Sequence, residues 1–130
     1  MLFRGSYDFL SNFYQSPVEY NGLTYRCAEA AFQAQKQPER AKDFQYLSGR
    51  DAKRLGRTVK LRSDWKQIKD NVMEEVLLSK FSNPDLMKRL RSVTGEIVED
   101  NSWGDTYWGR YFGNGKNTLG TILMKIRDNF

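Results

Sequence analysis

The stretch that decides the fold runs from Val18 to Lys36 and reads VEYNGLTYRCAEAAFQAQK. Its first part has alternating flanks on either side of Asn21-Gly22, a dipeptide that favours the type I′ turn, and this pattern predicts a β-hairpin. Its second part, from Cys27 onward, is rich in alanine and has no glycine or proline before Pro38, so it predicts a helix. A small β element near the N-terminus is therefore followed directly by a helix.

Three more helical segments are predicted in the middle of the chain. Pro38 suits the first position of a helix, because the N–H that proline lacks has no partner there. Asp51 suits the cap of a short helical turn, and Ser63 suits the N-cap of the longest helix, whose apolar residues recur at helical spacing. The predicted segments are 38–47, 51–56 and 64–81.

The C-terminal third of the chain predicts two helices separated by irregular structure. Asn83 and Pro84 suit the cap and the first position of the earlier helix. The predicted segments are a helix through Val93, a short strand or extended segment at 96–99, a loop at 101–117, and a final helix at 118–128 with Leu119, Ile122, Leu123 and Ile126 on its inner face. Since no repeat or linker interrupts the chain, we expect residues 1–130 to form one compact domain of the α+β class, mainly helical.

The composition restricts the possible chemistry. The 130 residues include no histidine and a single cysteine. This excludes histidine-containing triads, the usual zinc sites and an internal disulfide. Chemistry must come from carboxylates, lysines, tyrosines, backbone amides or an imported metal, and the residues predict no metal site and no cofactor. Aromatic residues make up 14% of the chain, so some rings are expected to line a concave site.

The charge and the N-terminus bear on partners and location. The net charge of +5 either reflects an ordinary solvated surface or attracts a phosphate-bearing ligand or nucleic acid. The chain begins without the apolar region of a signal peptide and has no apolar run of membrane-spanning length. A lone thiol suits a reducing compartment. We therefore expect a cytoplasmic protein with no membrane partner, and the oligomeric state is not predicted.

The helix that begins at Cys27 carries the first candidate site. Glu29, Phe32, Gln33 and Lys36 stand at positions i, i+3, i+4 and i+7 and share one face, while most other positions are alanine. Such a face is either an exposed ion-pairing surface or the polar side of a cleft. The alanines favour a buried or cleft-facing Glu29, because they let neighbouring elements approach closely.

The longest predicted helix carries two lysines on one stripe. Lys69 and Lys80 flank Met73 and Val76 there. Lysines so placed either extend to solvent at the edge of a core or face phosphates or a sugar. Trp65, at the start of this helix, is either a core residue or an indole close to a ligand.

The loop of residues 103–117 carries the second candidate site. It reads WGDTYWGRYFGNGKN and leads into a helix N-terminus, where backbone amides favour anions. Trp103 and Trp108 offer stacking surfaces for a base, and Asp105 is a carboxylate among them. The loop is not a P-loop, because Asn117 stands where Ser or Thr is needed, and it lacks the third glycine of a dinucleotide fingerprint. It is either a phosphate or nucleotide loop of another kind or an irregular packed loop.

Eight short motifs follow one another along nearly the whole chain. They are FLSNFY at 9–14, AEAAFQAQK at 28–36, AKxLGR at 52–57, RxDWxxxK at 62–69, KF at 80–81, TGxIVE at 94–99, DxxWG at 105–109 and NxLG at 117–120. In this order they resemble the motifs of the YbiA-like, or NADAR, family. One such motif is weak evidence, whereas eight in the right order are highly specific.

The resemblance implies a mainly helical α+β fold and an N-glycosidase acting on a bond between a ribose carbon and the nitrogen of a base. One group of the family removes ADP-ribose from the amino group of guanine, sometimes as the antitoxin to a DNA-modifying ADP-ribosyltransferase. Another group cleaves phosphoribosyl-aminopyrimidine intermediates of riboflavin biosynthesis. The motifs do not choose between them. We expect ADP-ribosylated guanine, in a nucleoside or in DNA, with the phosphoribosyl-aminopyrimidine as the alternative.

The chemistry of the bond suggests roles for the candidate residues. Cleavage builds positive charge at the anomeric carbon, and the departing nitrogen needs a proton. We assign Glu29 as the leading carboxylate and Asp105 as the second. In an alternative route, Lys36 or Lys69 forms an imine with the ribose carbon after ring opening. The residues expected to bind substrate are Ser11, Asn12, Phe13, Phe32, Gln33, Trp65, Trp103, Trp108, Gly109 and Asn117.

Two hypotheses from other classes stand beside the enzyme. The chain would be either a module that binds NAD or ADP-ribose without hydrolysis, or a nucleic-acid-binding module that contacts DNA through its basic surface. Failure to release ADP-ribose from ADP-ribosylated guanosine would indicate the first. Binding to unmodified DNA with a steep salt dependence would indicate the second.

Overall fold

The computed structural model describes residues 1–130, and helices account for about half of them. The α-helices are α1 (Ala28–Ala34), α2 (Gly49–Gly56), α3 (Trp65–Lys80), α4 (Pro84–Ser92) and α5 (Thr118–Asn129). The strands are β1 (Val18–Tyr20), β2 (Leu23–Tyr25), β3 (Asp100–Asn101) and β4 (Arg110–Tyr111), and 3₁₀ helices span Gly5–Leu10 and Pro38–Phe44. The prediction of a mainly helical α+β chain is confirmed.

Contacts within the chain group its residues into two compact units. The central unit comprises Asn12–Ser82, with β1, β2 and α1 to α3. The terminal unit comprises Met1–Ser11 and Asn83–Phe130, with α4, α5, β3 and β4. Each unit has its own set of buried apolar side chains. The expectation of one compact domain stays a prediction.

The central unit is built around α1. The predicted hairpin is confirmed: β1 pairs antiparallel with β2, and Asn21 and Gly22 both have the positive φ (49° and 83°) that a type I′ turn requires. α1 contacts both strands as well as α2 and α3. Its four alanines are fully buried, so the small side chains let these elements approach the helix closely.

Two predicted caps of the central unit are wrong. The N-cap of α2 is Ser48 and not Asp51, because the backbone of Ser48 is extended and its hydroxyl accepts a hydrogen bond from the Asp51 N–H at 3.2 Å. The residue before α3 is Asp64 and not Ser63. The Asp64 side chain makes no cap, and its carboxylate accepts hydrogen bonds from Arg62.

Both helices predicted for the terminal unit are confirmed, as α4 and α5. Asn83 caps α4 by accepting hydrogen bonds from the N–H groups of Asp85 and Leu86, at 2.9 and 3.3 Å. The predicted inner face of α5 is buried along its whole length. Residues 96–99 form no strand; instead β3 begins at Asp100 and pairs in parallel with β4. No helix of the chain combines the length and the apolar character needed to cross a bilayer.

Candidate active site

Glu29 lies inside the central unit. All seven residues of α1 are buried, and Glu29 is only 9% exposed. Of the two alternatives that the sequence leaves open for this face, the structure has the buried one. A buried carboxylate is costly unless it is hydrogen-bonded, so its surroundings must supply donors.

Gln33, one helical turn after Glu29, supplies such a donor. Its Nε2 donates a hydrogen bond to Glu29 Oε2 at 2.7 Å, a short distance typical of a charged acceptor. The backbone N–H of Glu29 donates to the carbonyl of Asn12 at 2.9 Å and so connects α1 to the segment before the hairpin. Asn12, Glu29 and Gln33 therefore form one buried cluster.

Two buried side-chain oxygens of this cluster accept no hydrogen bond. They are Asn12 Oδ1 and Gln33 Oε1. Leaving such an acceptor unpaired costs about 1–3 kcal/mol. The amide nitrogen of Asn12 donates only to the sulfur of Met73, at 3.4 Å. Unpaired acceptors beside a buried carboxylate are more typical of a site kept for a ligand or for chemistry than of core packing.

Lys36 lies half-buried just beyond the C-terminal end of α1. Burial lowers the pKa of its ammonium group; the negative charge of Glu29 opposes this, and the positive charges of Arg57 and Lys53 add to it. A lowered pKa increases the fraction of neutral amine, which is the form that a nucleophile needs. Lys69 lies half-buried on α3.

Phe32 and Trp65 form an aromatic pair. Their ring centroids lie 5.0 Å apart with the planes inclined at 54°, and both residues are buried. The pair brings the start of α3 to the face of α1 that carries Glu29. Phe13 is 44% exposed, and its ring lies against Gly49, where an added Cβ would be 2.6 Å from it.

Asp105 organises the loop of the terminal unit. Its Oδ1 accepts hydrogen bonds from the backbone N–H groups of Tyr107 (2.9 Å) and Trp108 (3.0 Å). Asn101 accepts from the Asp105 N–H at 3.0 Å and donates to the carbonyls of Asp105 and Arg110. One carboxylate oxygen of Asp105 is therefore used to form a turn, and Oδ2 takes no part in that turn.

Asn117 and Gly109 hold the end of the same loop. Asn117 is 1% exposed and has a left-handed backbone with φ of 55°. Its side chain donates to the carbonyl of Ile97 at 2.8 Å and accepts from the N–H of Glu99 at 3.0 Å. Gly109 is buried, and a Cβ at this position would fall on the carbonyl of Glu99. Both residues serve the structure of the loop.

The remaining predicted residues of the terminal unit differ in exposure. Trp103 is 61% exposed, whereas Trp108 is half-buried. The Trp108 ring packs edge-to-face on Tyr107, with centroids 4.9 Å apart. Ser11 is half-buried, and its N–H caps the first 3₁₀ helix.

The predicted site residues thus fall into two groups, one in each unit. The central group contains Asn12, Phe13, Glu29, Phe32, Gln33, Lys36, Trp65 and Lys69, and the terminal group contains Ser11, Trp103, Asp105, Trp108, Gly109 and Asn117. The catalytic and binding roles assigned to them stay predictions. No group of three or more cysteine, aspartate or glutamate side chains that could hold a metal ion occurs in the structure.

Lys80 was not among the predicted site residues. Of the two alternatives for this lysine, extension to solvent is excluded, because the residue is only 1% exposed. Its Nζ lies 5.6 Å from the ring centroid of Tyr14 and 5.2 Å from that of Phe81. The sequence contains a signal for this burial, since Lys80 continues the apolar stripe of Met73 and Val76 on α3.

Cys27, at the start of α1, is unsuited to nucleophilic chemistry. Burial raises the pKa of its thiol most, and the charge of Glu29 adds to this rise, while a hydrogen bond involving Ala30 and the charge of Lys80 oppose it. The thiol therefore stays protonated at neutral pH.

Comparisons with known proteins show what the chain is similar to. The family model described as "NADAR domain" matches residues 2–130. "N-glycosidase YbiA" of Escherichia coli (strain K12) is 35% identical over 94% of this chain and 81% of that protein. "Riboflavin biosynthesis protein VVA0006" of Vibrio vulnificus (strain YJ016) is 32% identical over 95% of this chain and 35% of that protein. The NMR structure of the E. coli protein YbiA superposes with a TM-score of 0.84 at 32% identity, covering 98% of this chain and 82% of that one.

Proposed function

Since the chain belongs to the NADAR domain family and is a hydrolase of N-glycosyl bonds, we propose that its substrate is ADP-ribosylated guanine, in a nucleoside or in DNA. Hydrolysis releases ADP-ribose from the guanine amino group. The net charge of +5 supports a substrate that carries several phosphates, because a basic surface attracts anions.

The observation that carries the proposal is the buried carboxylate of Glu29, which Gln33 holds at 2.7 Å beside the Phe32–Trp65 ring pair. Cleavage of a ribosyl C–N bond places positive charge on the anomeric carbon and needs a proton on the departing nitrogen. A fixed negative charge in a site of low water content stabilises such a transition state strongly. We assign this role to Glu29, and the assignment of Asp105 as the second carboxylate stays a prediction.

Two routes fit these groups. In the carboxylate route, Glu29 stabilises the cation or removes a proton from the attacking water, and a second group protonates the amino nitrogen. Water then forms the new C–O bond as the C–N bond breaks.

In the lysine route, the bond from the ribose C1 to its ring oxygen breaks first. The ring oxygen keeps the bonding electrons and takes up a proton to become a hydroxyl, while the lone pair of the base nitrogen forms an iminium ion with C1. The neutral amine of Lys36 adds to C1, and the base leaves as a free amine after taking up a proton. The resulting imine on Lys36 is hydrolysed by water, which regenerates the lysine and the ribose aldehyde. The lowered pKa of Lys36 supports this route, and Lys69 stays the alternative lysine.

Trapping with borohydride separates the two routes. In the lysine route, borohydride added during turnover reduces the imine and leaves a stable ribosyl adduct on Lys36, detectable by mass spectrometry of peptides. Lys36→Arg keeps the positive charge but cannot form an imine, so it abolishes the adduct and the turnover together. Because burial lowers the Lys36 pKa, the rate of this route rises with pH and levels off below the ordinary lysine value of 10.5. Full turnover by Lys36→Arg with no adduct in the unaltered chain would assign the carboxylate route.

An assay of two substrates side by side tests the proposed function. ADP-ribosylated guanosine, free and within DNA, is compared with the phosphoribosyl-aminopyrimidine, and the released base is measured by chromatography. We expect the guanine substrate to be hydrolysed with the higher kcat/KM. Binding of ADP-ribose with no hydrolysis of either substrate would instead indicate a non-catalytic module.

The phosphoribosyl-aminopyrimidine is the second candidate substrate, and the names of relatives favour it. Matching proteins of Vibrio vulnificus and Arabidopsis thaliana are both called riboflavin biosynthesis proteins. Both candidate substrates carry ribose on an exocyclic amino nitrogen, so one set of catalytic groups serves either. A higher kcat/KM on the pyrimidine would reverse the order of the two proposals.

A further inference from the structure

Gly56, the last residue of α2, lies against the side-chain amide of Gln33. A methyl group at residue 56 would fall on Gln33 Oε1 and lie 2.8 Å from Gln33 Cδ. The backbone of Gly56 is not in the left-handed region, so glycine is not needed there for its conformation. What this glycine provides is space for the amide.

The Gln33 amide has one orientation that suits its surroundings. Its Nε2 donates to Glu29 Oε2, while Oε1 accepts no hydrogen bond and faces Gly56. The reversed amide would place Oε1 against a carboxylate oxygen and oppose two acceptors. The unpaired Oε1 is therefore a consequence of directing the only donor group of this side chain at Glu29.

We propose that Gly56 is a positioning residue for Glu29 and acts through Gln33, an inference that rests on the proposed role of Glu29 in hydrolysis. Because residue 56 has no side chain, α2 approaches α1 closely enough to confine the Gln33 amide from the side opposite Glu29. The confined amide then donates to the carboxylate, favours its ionised form and fixes its direction. In this proposal, the glycine of the AKxLGR motif serves to position the Gln33 amide.

The test follows the NMR signal of the Glu29 side-chain carboxyl carbon as a function of pH, in protein labelled with ¹³C-glutamate. The signal of Glu29 is identified as the one that is absent in Glu29→Gln. In Gly56→Ala and in Gln33→Ala we expect the midpoint to rise by about one pH unit, since the carboxylate loses a hydrogen-bond donor. In the double variant we expect the same rise as in Gln33→Ala alone, because no amide remains to be displaced.

Ser48→Ala is the matched control. It removes the N-cap of the same helix, at the end opposite Gly56, and we expect it to lower the Tm while leaving the Glu29 midpoint unchanged. An unchanged midpoint in Gly56→Ala, a midpoint shifted by Ser48→Ala, or a fully additive rise in the double variant would each overturn the proposal.

A second measurement decides the case if Gly56→Ala does not fold. Removing the Gln33 amide makes room for the new methyl group, so the double variant is expected to fold with a higher Tm than Gly56→Ala. A double variant that is no more stable would overturn the proposal.

The titration needs no substrate, so its result is distinct from a failure of the proposed activity. If the protein is active, kcat is also measured as a function of pH. We expect the fall of kcat on the acidic side to occur at a higher pH in Gly56→Ala than in the unaltered chain, with KM unchanged.

Discussion

The α1 face of the central unit and the 103–117 loop of the terminal unit use the same kinds of side chain in different ways. Both contain a carboxylate, a side-chain amide and an aromatic ring. In the loop, Asp105 and Asn117 direct their polar atoms at backbone groups, and those bonds hold the loop in shape. On α1, Gln33 Nε2 donates to Glu29, and Oε1 of the same amide accepts no hydrogen bond.

We therefore expect the loop side chains to serve the structure and the α1 side chains to serve the chemistry. A polar atom that pairs with the backbone stabilises the fold and loses freedom to bind anything else. An unpaired buried acceptor destabilises the fold, and such groups persist where function requires them. The following experiments test this comparison, from the largest expected effect to the smallest.

Glu29→Gln is expected to have the largest effect. The amide has the same shape and still accepts from Gln33, but it has no charge with which to stabilise the anomeric cation. We expect kcat to fall by about 10³-fold, within the usual range for a lost acid or base. Glu39→Gln, an exposed carboxylate on the second 3₁₀ helix, is the control and should leave kcat unchanged. Activity retained by Glu29→Gln would end the assignment of chemistry to α1.

Asn117→Ala is expected to act on stability. It removes the two hydrogen bonds that join this side chain to the backbone of Ile97 and Glu99, and it places alanine in a left-handed backbone conformation that alanine adopts poorly. We expect the free energy of unfolding, measured in urea, to fall by about 3 kcal/mol. An Asn117→Ala chain of unchanged stability that has lost substrate affinity would instead give Asn117 the binding role predicted from the sequence.

Asp105→Asn tests the second carboxylate. Asparagine keeps an oxygen that can accept from the Tyr107 and Trp108 N–H groups, so the turn is preserved while the charge is removed. If Asp105 acts through its charge, kcat falls by about 100-fold with little change in Tm. Unchanged kcat in Asp105→Asn, together with a lowered Tm in Asp105→Ala, would restrict Asp105 to forming the turn.

Phe112→Asn is expected to have the smallest effect. Phe112 is 84% exposed and has a φ of 48° in the turn that joins Tyr111 to Asn114. Asparagine tolerates this conformation and, followed by Gly113, matches the preferred type I′ sequence, so we expect a stability gain of about 1 kcal/mol, seen as a higher Tm. A loss of activity in this variant would show that the exposed ring has a role in binding.

Several local features could be predicted because neighbouring residues determine them. Asn21-Gly22 specifies its turn through its own backbone preferences, and Asn83-Pro84 caps α4 through atoms two and three residues away. The caps at Asp51 and Ser63 were mispredicted because several polar residues compete within one turn of chain. The choice of Ser48 depends on an extended backbone that the sequence pattern does not reveal.

The candidate site could be predicted only in part. The helical spacing of Glu29 and Gln33 indicated a shared face, and the structure adds their burial and the direction of the hydrogen bond between them. The contact of Gly56 with Gln33 joins segments far apart in the chain. Hydrophobic periodicity within one helix contains no information about such contacts.

By itself the sequence determined the class of fold, most helices, the hairpin and the resemblance to a family, since these follow from local preferences and from the order of motifs. Only the tertiary structure decided which polar groups are used by the backbone and which remain unpaired. The physical reason is that burial and hydrogen-bond satisfaction depend on which distant segments pack together. The leading and the second carboxylate of the sequence-based assignment, Glu29 and Asp105, thereby acquire different surroundings.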